Sequence, residues 1–145
     1  MLGRLLLSLS GIAQILGPFI ADFNETHVKN PRWPPHARFH NGQTMSLGLS
    51  LGLATLYFTL RHASSTPASV DIAREKDSLM TAAVFGSLYW LTGLSAVLYP
   101  GSLAVDPEFG EGFPQFWLFV GLAVASLGGW GLENVRLNRS LRKRI

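Results

Sequence analysis

Hydrophobic and polar positions fall in long blocks along this chain, and the blocks define four apolar runs. The first, Leu5–Ala21, is broken only by Ser8, Ser10, Gln14 and Pro18 and follows Arg4. The second, Thr44–Leu60, has an amphipathic lead-in from His36. The third, Leu79–Tyr99, carries no charge and ends at Pro100-Gly101. The fourth, Gln115–Leu132, opens on Phe116 and Trp117 and closes at Trp130, as aromatics do at a membrane interface. A helix crosses a hydrocarbon core of about 30 Å with roughly 20 apolar residues, so these runs read as spans at about 5–21, 44–60, 79–99 and 115–132. The pattern predicts an all-α protein: a four-helix transmembrane bundle in which residues 1–145 form one integral membrane domain.

The first run also has the layout of a secretory signal peptide, with Arg4 as its charged region. No small-x-small cleavage site follows. Pro18 and Phe19 stand where cleavage would fall, and Asp22 and Glu25 come soon after, so a retained span is expected. In the second run Ser46, Ser50 and Ala54 recur every four positions beside Gly48-x-x-x-Gly52; Gly121, Ala125 and Gly129 form a similar stripe in the fourth. Small residues at this spacing let helices approach closely in lipid, and packing within the chain is favoured over a dimer face. Ser87, Tyr89, Trp90, Thr92 and Ser95 lie within the third run and should face the bundle or a cavity.

The polar segments differ in character. Asp22–Asn41 holds three of the four histidines, two carboxylates and three prolines. Pro31, Pro34 and Pro35 keep most of it out of helix, while Pro35 suits the first turn of the next one. The segment thus reads as a Pro/His-rich loop capping one face of the bundle. Residues 61–78 read as a solvated connection with a helical turn near Asp71–Lys76 and an N-cap at Asp77 or Ser78; His62 beside Arg61 reads as interfacial. Ser102–Pro114 is acidic, with Asp106, Glu108 and Glu111 and no basic residue.

Composition agrees with a membrane protein. Only 14% of residues are charged, against about 25% in soluble domains. The pI near 9.7 invites a nucleic-acid reading, but five of the twelve Lys and Arg sit in the last ten residues, as a juxtamembrane tail. Nucleic-acid binding is therefore not expected. The absence of Cys excludes disulfides, thiolate metal sites and Cys nucleophiles. With four spans, nine Lys and Arg fall on the side of the termini and three (Lys29, Arg32 and Arg38) on the other. The positive-inside rule then puts both termini in the cytoplasm, and the His-rich stretch and acidic loop together on the lumenal or outer face. The ending Arg142-Lys143-Arg144-Ile145 resembles dibasic retrieval signals of the endoplasmic reticulum, which is the expected membrane.

Candidate chemistry concentrates in Asp22–Asn41. A carboxylate at a span end is partly desolvated, and beside a histidine it gives a proton donor and acceptor near neutral pH. Asp22, Glu25 and His27 have that composition. His36 and His40 are four residues apart and share a helix face. That spacing suits a metal, but Ala37 follows His36 where a zinc hydrolase needs Glu, and no resident metal or cofactor is expected. Asp22, Glu25, His27, His36 and His40 are the candidate proton-transfer residues, and Asn24, Trp33, Arg38, Tyr89 and Trp90 the expected ligand contacts. The bland alternative is a loop pinned by an ion pair from Asp22 or Glu25 to Arg32 or Arg38, with Trp33-Pro34-Pro35 as a packing plug. Asn24-Glu25-Thr26 matches the glycosylation pattern but lies too near the first span for modification. Glu133 at the end of the fourth span can pair with Arg136 or Arg61.

The run Asp22-x-Asn24-x-Thr26-His27, followed by Asn30-Pro31-x-Trp33-Pro34-Pro35-His36-Ala37-x-Phe39-His40, resembles a family of small, uncharacterised four-span membrane proteins of fungi and bacteria. Some of its members accompany secondary-metabolite pathways. The resemblance implies work on lipophilic compounds, or beside enzymes that handle them, and supplies no catalytic residues. A looser likeness, in architecture alone, is to the emopamil-binding-protein group, whose helical bundles enclose sterol-like ligands.

Two functions are expected from these features. The first is a membrane accessory subunit that positions a membrane-anchored partner enzyme or a lipophilic intermediate in a biosynthetic pathway. The alternative is a small isomerase or cyclase moving protons on a lipophilic small molecule. A lipophile carrier or transporter is a third reading, and the lack of mid-membrane charge argues against an ion pathway.

Overall fold

Pro34 and Pro35 set the start of the second helix: Pro34 is extended (φ −58°, ψ 145°) and Pro35 takes the first helical position, where its missing N–H costs nothing. The computed structural model describes residues 1–63 and 72–142. They form α1 (Leu2–Asp22), α2 (Pro35–Leu60), α3 (Ile72–Ser95) and α4 (Phe116–Arg142), with a 3-10 turn, Ala96–Leu98, after α3. Each helix packs on its two sequence or closing neighbours, α1 on α2 and α4, and α3 on α2 and α4. The start of α1, the end of α2, the start of α3 and the end of α4 lie at one end, the terminal end; residues 23–34 and 99–115 lie at the other, the loop end.

Among the described residues, α1, α4 and α3 with its 3-10 extension are long and apolar enough to cross a membrane. They fit an integral membrane protein. At 26 residues α2 has the length, but it is less apolar because Asn41, Gln43, Thr44, Ser46, Ser50, Thr55 and Thr59 interrupt it. Two boundaries differ from the sequence pattern. The third helix starts inside the polar connection, because Glu75 and Ser78 are buried by partners on other helices. The fourth continues ten residues past Leu132 into the basic tail. Asp71 and residues 143–145 of the retrieval-like ending lie outside the described residues.

Three features hold the bundle. The first is close crossing at glycine. A methyl group on Gly52 would stand 2.5 Å from the carbonyl oxygen of Gly11, and one on Gly129 would stand 2.7 Å from that of Gly3. In α2 the Gly48-x-x-x-Gly52 pair is thus a contact with α1 inside the chain, whereas Ser46 and Ser50 beside it are exposed; the α4 stripe splits, with Gly129 inward and Gly121 outward.

The second is a polar centre where all four helices meet around Gly86. Ser10 donates to the Gly86 carbonyl at 2.9 Å, and Gln14 Nε2 donates to the carbonyls of Phe85 and Gly86 at 2.9 and 3.0 Å. Thr55 donates to Gln14 Oε1 (3.3 Å), Trp90 Nε1 donates to Ser10 Oγ (2.8 Å), and Ser126 Oγ approaches Gly86 from α4. Ser10, Gln14, Thr55 and Ser126 are fully buried. Buried polar side chains favour partners within the protein, and of these four only Ser126 Oγ has none.

The third is an ion network at the terminal end. Arg4 and Arg136 both reach Glu75 Oε1 at 2.7 Å, and Arg136 Nε reaches Glu133 Oε2 at 2.6 Å. Arg4 also donates to the Thr59 carbonyl, so the network touches every helix. The pairing expected of Glu133 with Arg136 is present. Arg61 instead donates to Ser78 Oγ, which donates to the Phe58 carbonyl.

Two outcomes follow for stability, read as thermal or denaturant unfolding of the detergent-solubilised protein. Gly52→Val should destabilise by about 2 kcal/mol, the usual cost of overpacking, whereas Gly121→Ala, which meets open space, should leave the midpoint unchanged. Glu75→Ala leaves Arg4 with the Thr59 carbonyl and no anion, and Arg136 with Glu133 alone, and should cost about 3 kcal/mol, as removal of one partner of a buried pair does.

Candidate functional site: an apolar cavity with a polar end

The tight Gly3–Gly129 crossing holds α1 and α4 together at the terminal end only. Ser10 Oγ still lies 3.5 Å from the Leu122 carbonyl, but towards the loop end the two helices enclose a cavity of about 700 Å³. Its walls are Leu9, Ile12 and Leu16 of α1 and Leu118, Phe119 and Leu122 of α4. Its floor is Trp90 and Gly93 of α3, and Leu103 and Phe113 close it towards the loops. Leu9, Ile12, Leu16 and Leu118 are also exposed on the bundle surface, so the cavity opens sideways between α1 and α4. The floor is fixed in place: Trp90 is held by its bond to Ser10 and packs on Phe119, whose ring fits against the bare Cα of Gly93. The volume lies within the roughly 300–1,000 Å³ typical of small-molecule sites.

The walls turn polar at the loop end, where Asp22, His27, Thr44, Tyr89 and Gln115 line the cavity. Asp22 is the last residue of α1 and is largely buried. Its Oδ2 accepts from Asn41 Nδ2 at 2.9 Å, and its Oδ1 lies 3.9 Å from His27 Nε2, too long for a hydrogen bond. The His27 tautomer follows from its neighbours. Asn24 Nδ2 donates to the Ile20 and Ala21 carbonyls, so Asn24 Oδ1 faces Thr26 and can only accept. The Thr26 hydroxyl donates to it at 2.6 Å and must therefore accept from His27 Nδ1, also at 2.6 Å. Neutral His27 then carries its proton on Nδ1 and presents the Nε2 lone pair beside Asp22.

A buttress of loop contacts supports this end. The Trp33 ring meets His27 edge-on, with centroids 4.7 Å apart, and Trp33 Nε1 donates to Asp106 Oδ2 at 3.3 Å. Asn30 Nδ2 donates to Glu108 Oε1 at 3.0 Å, Arg32 pairs with the same carboxylate, and Arg38 donates to the Asn30 carbonyl at 2.6 Å. The His-rich stretch and the acidic loop therefore meet. The ion pair expected within the stretch, from Asp22 or Glu25 to Arg32 or Arg38, is replaced by this one across the two loops.

The expected site residues thus separate. Asp22, His27, Tyr89 and Trp90 come together at the cavity. Trp33 and Arg38 stand behind it in the buttress. Asn24 spends its amide on the end of α1, capping two carbonyls. Glu25 is exposed. His36 and His40 do share a face of α2, with Nε2 atoms 3.1 Å apart, but both are exposed, and among the described residues no third His, Asp or Glu joins them. Asn41, Thr44 and Gln115 were not singled out from the sequence. Gln115 had one signal, a lone amide at the start of an apolar run.

An apolar cavity with a carboxylate–histidine end lies within a small helical bundle, three of whose helices are long and apolar enough to cross a membrane. The chain belongs to a family of unknown function, DUF6640, whose model matches residues 6–144. No curated protein and no solved structure matches it.

The separation of roles is measurable by unfolding. Asn24→Ala should cost about 1 kcal/mol, the net worth of the lost capping bonds. Glu25→Gln should change stability by less than about 0.5 kcal/mol, as exposed substitutions do.

Proposed function

We propose that the protein binds a lipophilic molecule in the cavity between α1 and α4, with its polar group at the Asp22 end, and holds it for a membrane-anchored partner enzyme in a biosynthetic pathway. The cavity itself is the observation that carries this reading. Its apolar walls match a lipophile, its sideways opening lets a molecule enter from the bilayer, and its polar end orients whatever enters. The charge distribution along the chain supports an orientation with both termini cytoplasmic and the loop end lumenal, in the endoplasmic reticulum. The secondary-metabolite association of chains with a similar loop motif agrees with such a role.

A second reading rests on the Asp22–His27 arrangement. With Nδ1 protonated, His27 offers a base beside a carboxylate at the edge of an apolar space, which is the layout of a proton-transferring isomerase or cyclase. Under this reading the isolated protein turns over a substrate and Asp22→Asn abolishes turnover. Under the first it is inert alone and copurifies with its partner.

Gly17 provides a test of binding. It lines the cavity, and a methyl group there would stand 3.9 Å from the Trp90 ring, so a larger side chain enters the space without a backbone clash. A photoreactive alkyl probe in nanodiscs should label the peptides around Leu9–Ala21 and Leu118–Leu122. Gly17→Leu should cut that labelling about tenfold, equal to about 1.4 kcal/mol, while Gly121→Leu, on the outer face, should not. Equal labelling of wild type and Gly17→Leu would sink the reading.

A further inference from the structure

At the cavity's polar end one carboxylate oxygen stands without a donor. Asp22 uses Oδ2 on Asn41, and no described residue donates to Oδ1 within hydrogen-bond distance. Asp22 lines the cavity. A desolvated acceptor without a donor is disfavoured, and most such groups are satisfied by a side chain, water or ligand.

The electrostatics point the same way. No Arg or Lys lines the cavity; its titratable groups are Asp22, His27 and Tyr89. The nearby cations are engaged elsewhere, Arg32 with Glu108 and Arg38 with the Asn30 carbonyl. Asp22 also closes the C-terminus of α1, where the helix dipole is negative and no basic residue occupies the last turn. With His27 neutral, an anionic head would meet no cation at this end and the Asp22 carboxylate would repel it.

Building on the binding reading above, we infer that the cavity selects a lipophile whose polar head donates hydrogen bonds, an amine or an alcohol, and rejects fatty acids and other anionic amphiphiles. Asp22 Oδ1 is the receiving atom. An ammonium head is held by the Asp22 charge as well as by a hydrogen bond. A hydroxyl head has one proton to give and no charge.

Three diazirine-bearing probes with the same sixteen-carbon chain and an amine, hydroxyl or carboxylate head test this in nanodiscs of zwitterionic lipid. Labelling of the 9–21 and 118–122 peptides is read by mass spectrometry, as the part lost in Gly17→Leu. The amine and alcohol should label at least about tenfold more than the carboxylate, a difference of about 1.4 kcal/mol. Asp22→Asn keeps the shape and should bring amine labelling down to the alcohol's level if the ligand is cationic. The variant is first matched to wild type by melting temperature, and the comparison of the three heads on the wild-type protein decides on its own where it does not match. Carboxylate labelling equal to the others, or head preferences unchanged in Asp22→Asn, would overturn the inference while leaving lipophile binding intact. Absence of any Gly17-sensitive labelling removes the binding reading as well.

Discussion

The bundle depends on how closely α1 approaches its neighbours. At Gly11–Gly52 and Gly3–Gly129 the backbones come so near that a single methyl group has no room. In lipid, apolar surface gains little by leaving the tails, so contact area and backbone approach do the work that burial does in water. A helix held this tightly at the terminal end is not free to pack along its whole length. α1 stays against α2 through Gly48, which receives the ring of Pro18, but it parts from α4 beyond Ser10. The cavity is the space this divergence leaves. Trp90 and Phe119 line it rather than fill it, because Ser10 and Gly93 fix where their rings lie.

The same constraint explains where polarity is tolerated. The centre of the bundle contains hydroxyls and amides but no charge, and nearly all of them bond a carbonyl or one another. The charges collect at the terminal end, where Glu75 and Glu133 are buried yet shared among Arg4, Arg136 and the amino terminus. Such a network binds four helices at their ends without placing an ion in the hydrocarbon. It also explains why α3 begins before its apolar run does: the helix carries Glu75 and Ser78 to partners that a solvated loop would not meet.

The fold was largely legible because apolar blocks announce helices and prolines announce their limits. Pro35 marked a helix start, and Gly48-x-x-x-Gly52 marked a contact within the chain. What could not be read was partnership. Asp22 and His27 were visible as a candidate pair, but Asn41, nineteen residues on, is reached only because α2 folds back along α1. Glu25 and Asn24 looked equivalent to Asp22 by composition. They differ by a turn of backbone, which sends one to solvent and the other onto the end of the helix. Gln115 showed only as a lone amide at the start of an apolar run, and the loop carbonyl that orients it could not be read.

The loops are better understood as a clamp on the site than as a cover over it. Trp33 touches both His27 and Asp106, so the ring that bears on the histidine is itself held by the acidic loop. That loop runs on through Phe113 and Gln115 into the cavity wall. Asn30 and Arg32 hold Glu108 in the same corner. Contacts between exposed ions are individually weak. Here they act together with an aromatic edge and two amides, and all of them converge on the segment that carries the Asp22–His27 end. The motif residues from Asp22 to His40 therefore contribute by position: those nearest α1 face the cavity, the middle ones lock the loops, and His36 and His40 begin the helix that brings Asn41 to Asp22.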